Sequence, residues 1–426
     1  MRRKLFEKRI QIILVSTTLF FIILRFLLNE KGRTNPDSIR FMRTSKLFPV
    51  IDNTTTPLGY PLSLKFFTFF GFDEFWASKI IGILSYLFIV YFAWKKRFYL
   101  KETILLGGLF SFVSIFSYTM SESLILPIVF LFLYVGRQII IGEFTGFKAF
   151  FYLSLSLLVL YNIRYPALFM IGAVFLYGVL NYRKSYGKTF IYSAFVGFGY
   201  VVLYKFLFID YFNDDYIDEF LEIGLHPTSK LLIELVQGMA TTFNPFIHIA
   251  NPAGGIINYG IYGIGLLNIL LIGFIFIKNK LSETERFFVF VGIIGIICSF
   301  FIQYFYSVNP IDYRLMAPFS FPIWLVYFKK MCQIFGKFTY GITILSLMTG
   351  FIFTWLSRGN YLENRREITK FLKSEKMEEG RINFFMEDDK MLDKMQIAEV
   401  ISSVNPNVKV TFNPKETIQK NTFTKF

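Results

Sequence analysis

Along this chain apolar residues do not alternate with polar ones. They run on for about 15–22 positions at a time, broken by short clusters of lysine and arginine. At 1.5 Å per residue, such a run is the length an α-helix needs to cross a hydrocarbon layer of roughly 30 Å. No water reaches backbone N–H and C=O groups inside a bilayer, so the runs must be helical; the alternating strands of a membrane barrel are not seen. The predicted spans are 10–28, 76–94, 103–119, 121–141, 148–163, 165–181, 189–208, 258–277, 287–305, 315–328 and 338–356. The fold class read from this pattern is an all-α polytopic membrane protein of about eleven transmembrane helices. The first run follows Met1-Arg2-Arg3-Lys4 and lacks a small-residue cleavage site, so it is expected to be an uncleaved anchor.

Composition agrees. Of 426 residues, 54% are hydrophobic and 18% charged, against about 25% charged in a soluble domain, which excludes a soluble enzyme. Cys298 and Cys332 are too few and too deep in apolar runs for a disulfide framework or a zinc site. With His226 and His248 the only histidines, acid–base chemistry falls to carboxylates. The 56 phenylalanines, with many Ile, Lys and Asn, point to an AT-rich, prokaryotic genome.

Charge gives the orientation. With a cytoplasmic N-terminus, the inside segments hold 20 basic and 5 acidic residues, so the whole net charge of +15 falls on that side. The basic balance is thereby a topology signal and needs no nucleic acid to explain it. The expected location is the plasma or inner membrane, with three extracytoplasmic segments long enough to carry function: 29–75, 209–257 and the tail from 357. The domain reading is a transmembrane unit over 1–356 and a small α/β appendage over 357–426, with helices near 365–376 and 389–403 and strands near 382–386 and 408–412.

The first outer segment opens on Asn35-Pro36-Asp37-Ser38-Ile39-Arg40-Phe41 and later reads Thr54-Thr55-Thr56-Pro57-Leu58-Gly59-Tyr60-Pro61-Leu62. Pro57, Gly59 and Pro61 fix a turn and mark a helix boundary just above the bilayer. Asp37 has two readings: a functional carboxylate in a half-dry cleft, or the cap of a helix over 38–48.

An Asp-Ser-x-x-aromatic stretch followed by Pro-x-Gly-Tyr-Pro-Leu resembles the first outer loop of GT-C-fold glycosyltransferases. These are polyprenyl-phosphate-sugar-dependent membrane enzymes that include protein mannosyltransferases and lipid A aminoarabinose transferases. Phe41 and Leu58 depart from the tyrosine and second proline common in that superfamily. Further stretches are similar in order and topology. Ser117-Tyr118-Thr119-Met120-Ser121-Glu122-Ser123 places Glu122 as a second carboxylate, its alternative being the first turn of a helix capped by Ser121. Arg164-Tyr165 lies at the next outer junction, where Arg164 is expected either at a lipid phosphate or snorkelling to headgroups. Asn309-Pro310-Ile311-Asp312-Tyr313-Arg314-Leu315-Met316-Ala317-Pro318 places Arg314 at the membrane face with Asp312 as its partner, or as a surface ion pair.

The resemblance implies an inverting transferase. Asp37 and Glu122 would be its catalytic carboxylates, Arg164 and Arg314 its phosphate ligands, and Tyr60, Tyr165 and Asp312 supporting residues. It implies a polyprenyl-phosphate-linked sugar as donor and a lipid, glycan or protein acceptor. A divalent cation, Mg or Mn, would sit on Asp37 and Glu122 in members that use one. Rival readings are an outer-face polysaccharide polymerase or ligase, and a lipid-linked sugar flippase or transporter; the last predicts charges inside spans and interrupted helices. The acidic stretch from Asp210 to Glu222 reads as an amphipathic helix on the outer face or a metal site, and His226 as a loop or cleft residue. Asn53-Thr54-Thr55 matches a glycosylation sequon, discounted for a prokaryotic chain.

Overall fold

The computed structural model describes residues 2–28, 34–51, 55–214, 228–249, 254–306, 311–387, 392–412 and 422–423. Asn53, Thr54, His226, Asn309, Pro310 and most of the acidic stretch after Asp214 lie outside the described residues.

Helices dominate. Eight are long and apolar enough to cross a membrane, or nine if one bent pair counts as a single span, among the described residues. In chain order, α1 is Arg2–Leu28, and α2 (Pro36–Leu47) and α3 (Gly59–Thr68) lie in the segment 29–75 that the sequence reads as the first outer segment. Then come α4 (Glu74–Lys96), α5 (Leu100–Gly107), α6 (Phe110–Ser117), α7 (Ser121–Ile140) and α8 (Gly146–Ile163). The chain continues through α9 (Leu168–Leu180), α10 (Gly187–Tyr204), α11 (Ser229–Phe243), α12 (Ile256–Lys278) and α13 (Glu283–Tyr306). The bundle ends with α14 (Tyr313–Phe335) and α15 (Tyr340–Leu356).

Where the helices sit follows from how their apolar residues are spread. α14 is buried on nearly every face, from Tyr313 to Met331, and packs against α5, α7, α11 and α13, so it is the central post of the bundle. α12 is apolar all round, yet only 22% of its spanning window is buried inside the protein. Ile257, Leu267, Leu270 and Ile277 face outward, the arrangement expected where the surroundings are lipid.

Beside that count of eight or nine, where the sequence reading expects about eleven, two features depart from the expected spans. The segment read as one span over 103–119 is broken into α5 and α6, bent by 76°. At the break, Gly108 lies so close to α15 that a Cβ would come 2.5 Å from Thr343 Cγ2. Hydroxyls of α15 satisfy backbone groups beside the break: Phe110 N–H donates to Ser346 Oγ (2.8 Å), and Thr343 Oγ1 donates to the Leu105 carbonyl (2.9 Å). The second departure is in the segment 209–257, expected as an outer loop. Its helix α11 packs on α12 and α14, and residues 244–249 wedge into the bundle, where Ser346 Oγ donates to the Pro245 carbonyl (2.5 Å) and Thr349 Oγ1 to that of Phe246 (2.9 Å).

The tail carries α16 (Tyr361–Ser374), β1 (Ile382–Phe385), α17 (Leu392–Val404), β2 (Val408–Thr411) and β3 (Thr422–Phe423). The strands form a parallel sheet in the order β2-β1-β3, with Ile382 opposite Val408. This unit docks on the first outer segment: α17 packs on α2, Arg365 pairs with Asp73, and the Tyr361 ring stacks on Phe75 at 5.7 Å.

Candidate functional site

The candidate residues gather where α2 and α3 meet the start of α7, the end of α8 and the start of α14. α2 begins with a capping box. The side chain of Asn35, not Asp37, accepts from Ser38 N–H, and Ser38 Oγ accepts in return from the Asn35 N–H. The cap that one reading puts at Asp37 therefore sits two residues earlier. Asp37 sits in the first turn, where a carboxylate suits the helix dipole. Its side chain is half exposed and pairs with Arg40 at 3.0 Å.

The residue after Asp37 ties α2 to the rest of the site. Ser38 Oγ donates to the Thr119 carbonyl (2.8 Å), in the turn between α6 and α7. Lys79, buried in α4, holds the same turn by donating to the Ser117 carbonyl and to Thr119 Oγ1, each at 3.0 Å. Ser78 Oγ lies 2.7 Å from Thr119 Oγ1. The turn that precedes Glu122 is thus fixed by three hydroxyls and an ammonium.

Glu122 is 1% exposed, and its Oε1 lies 3.1 Å from Arg164 Nη1. Glu122 lies in the first turn of α7, as one reading of the sequence has it. Met120, rather than Ser121, occupies the cap position of α7. Arg164, at the end of α8, turns inward to the carboxylate instead of snorkelling, its side chain only 12% exposed. Desolvating a carboxylate and a guanidinium is costly, and the attraction of the ion pair offsets part of that cost, although Nη1 is not aligned for a hydrogen bond.

Tyr60 is fully buried, with its hydroxyl beside Ser78, Ser123 and Glu122; burial and the Glu122 charge push its phenol well above the usual tyrosine range. It therefore stays a neutral phenol, its buried hydroxyl without a hydrogen-bond partner among the described residues. Gly59 lets α3 approach this closely, since a Cβ there would meet the Asn162 carbonyl at 2.8 Å, two residues before Arg164. Tyr165 completes the link by donating its hydroxyl to the Thr55 carbonyl.

From the other side, Asp312 caps α14, accepting from the N–H groups of Arg314 and Leu315, while its Oδ2 holds Arg314 Nε at 2.8 Å. The Arg314 guanidinium lies over Tyr118 at 5.6 Å and within electrostatic reach of Glu122. Glu122, Arg164, Tyr60, Arg314 and Asp312 thus share one end of the bundle. Asp37 is joined to them through Ser38 and Thr119, but no hydrogen bond or ion pair among the described residues links its carboxylate to Glu122, Arg164 or Arg314.

Three residues at this end were not singled out from the sequence. Arg25 of α1 is fully buried, donates to Thr354 Oγ1 (2.9 Å) and lies over Phe110 at 4.5 Å. His248, on the wedge, stacks between Phe110 and Tyr313 at 4.3 and 4.0 Å. Lys79 is the third. For Arg25 the signal was present: an arginine near the end of an otherwise apolar span is costly unless it serves something. For His248 there was none, because the wedge arises from long-range packing.

A divalent cation does not fit well. Among the described residues no group of three or more His, Cys, Asp or Glu could hold a metal, and Asp37 and Glu122 each have an arginine as partner. An apolar groove of about 460 Å³ runs between α3, α4 and α7, lined by Leu62, Phe66, Ile81, Phe88, Leu124 and Pro127 among others. The sequence matches no protein-family model and no curated protein.

Proposed function

We propose that this chain is a membrane glycosyltransferase that moves a sugar from a polyprenyl-phosphate donor to an acceptor on the extracytoplasmic face. The observation that carries the reading is the buried Glu122–Arg164 pair, with Arg314 and Tyr60 around it and the Asp37-bearing helix above. Two guanidiniums at one membrane face suit a phosphate leaving group. The groove beside Leu124 offers an apolar path for the donor's isoprenoid tail.

In this reading the acceptor hydroxyl attacks the anomeric carbon and the carbon–oxygen bond to the lipid phosphate breaks. Arg164 and Arg314 take up the charge that develops on the phosphate. Asp37, exposed at the loop, receives the hydroxyl proton once Arg40 swings aside. Glu122 acts through Arg164, holding the fork in place, and Tyr60 donates as a neutral phenol. No step is routed through a metal. The anomeric centre inverts, because a single displacement occurs.

The test is donor cleavage by the purified protein in nanodiscs, offered radiolabelled polyprenyl-phosphate sugars, with Asp37→Asn in parallel. Wild type should release polyprenyl phosphate and Asp37→Asn should not. Release at the wild-type rate by the variant would remove Asp37 from the chemistry. No release from any donor, followed by turnover of diphosphate-linked oligosaccharides, would favour the polymerase or ligase.

One observation favours the transporter reading instead, namely the 76° break between α5 and α6 inside the bundle, since interrupted helices line transport paths. Movement of a fluorescent lipid-linked sugar across proteoliposome bilayers without loss of the sugar would establish it.

A further inference from the structure

A polar cavity lies at the opposite end of the same helices. It has a volume of about 370 Å³ and is lined by the end of α4, the start of α5, the end of α7, the loop before α13 and the later part of α14. Glu122 and Arg137 are fifteen residues apart on α7, as are Arg314 and Lys329 on α14, so each helix separates the two sites by roughly 22 Å.

The charges lining this cavity are unequal. Arg97, Arg137 and Lys329 face a single acid, Glu102, alongside the hydroxyls of Tyr99, Ser282 and Thr284. The nearby Glu285 is already taken by two ammonium groups, Lys329 at 2.7 Å and Lys330 at 2.9 Å. Among the described residues neither Arg97 nor Arg137 makes an ion pair. Among the described residues the Arg137 side chain donates to its neighbour Gln138 (3.3 Å) and lies over Phe98 at 5.8 Å.

The backbone at the mouth is independent support. Arg97 and Tyr99 both adopt left-handed conformations, with φ of 50° and 49°, although neither is glycine. Arg97 closes α4 in the position where glycine is the usual residue, its N–H bonding to the Ala93 and Trp94 carbonyls. An L side chain is disfavoured at such a position, so the arginine stands against the backbone preference.

We propose that this cavity is an anion site for a phosphate group, held by Arg97 and Arg137 with Lys329 behind them. Basic pockets between membrane helices at a positively charged face take lipid headgroups in this way, and a free phosphate carries the same chemistry. The site does not depend on the transferase reading, because it uses none of the residues at the other end.

The experiment uses the full chain in a non-ionic detergent. One arm adds phosphatidylglycerol or phosphatidylcholine and counts retained lipid by native mass spectrometry; the other titrates inorganic phosphate and follows the thermal midpoint. The variants are Arg97→Gly, which relieves the backbone and should fold at least as well as wild type, and Arg137→Gln. A control, Lys95→Gln with Lys96→Gln, removes two exposed charges outside the cavity. Retention of phosphatidylglycerol over phosphatidylcholine assigns a lipid headgroup, and protection by inorganic phosphate alone assigns a free phosphate. In either case Arg97→Gly and Arg137→Gln should each weaken binding about tenfold, the scale of one charge-assisted hydrogen bond, while the control binds like wild type. Binding of neither probe, or equal loss in the control, overturns the proposal.

Discussion

At Glu122 and Arg164 two opposite charges share a site with almost no solvent. Removing one leaves the other buried and unpaired, which costs about 3–5 kcal/mol, whereas replacing both with apolar or neutral groups costs far less. Glu122→Ala should therefore lower the thermal midpoint in detergent markedly, and Glu122→Gln combined with Arg164→Met should recover most of it. A single variant as stable as wild type would mean the pair does not form. Asp37 is the contrast. Its pair with Arg40 is half exposed and of the kind worth about 0–1 kcal/mol, so Asp37→Asn should lose activity with the midpoint unmoved. These two carboxylates were legible in the sequence as candidates, and their separation into a buried, arginine-bound group and an exposed one was not. Burial is set by which helices pack over a position, and α3 covers Glu122 only because Gly59 admits the backbone of α8.

Hydropathy over 103–119 is continuous, and apart from a glycine pair nothing in the run of apolar residues marks a 76° bend. Gly107-Gly108 permits it, but the bend is held by hydroxyls from a helix more than two hundred residues later. Ser346 serves twice, accepting from Phe110 N–H and donating to the Pro245 carbonyl. Ser346→Ala strands a buried N–H and a buried carbonyl, each at about 1–3 kcal/mol. The expected result is a lower thermal midpoint and faster proteolysis, checked against the exposed substitution Ser374→Ala, which should change neither. The element ends, by contrast, follow local chemistry. Asp73 and Thr228 cap their helices, as Asn35 does, with side chains that accept from N–H groups of the first turn.

For the molecule as a whole, orientation is the testable matter. The charge pattern predicts the Lys95–Lys96 end inside and the tail outside. In a Cys298→Ala, Cys332→Ala background, cysteine at Ser374 should react with a membrane-impermeant maleimide in intact cells, and cysteine at Lys96 only after permeabilisation. The reverse would invert the topology and place the Glu122 cluster in the cytoplasm. The tail's position is part of the same question: through Arg365, Tyr361 and α17 it rests on the segment that carries Asp37.

The sequence by itself determined that this is a helical membrane protein, where most of its helices start and stop, and which polar residues stand out of place in apolar surroundings. Those properties are local, since lipid penalises every unpaired backbone group and every charge at the position where it occurs. Tertiary structure alone decided the break between α5 and α6, the wedge of 244–249 beside His248, the pairing of Glu122 with Arg164 and the cavity behind Arg97 and Arg137. Each joins segments far apart in the chain, and close approach of that kind depends on the shapes of two surfaces, which no window of one segment contains.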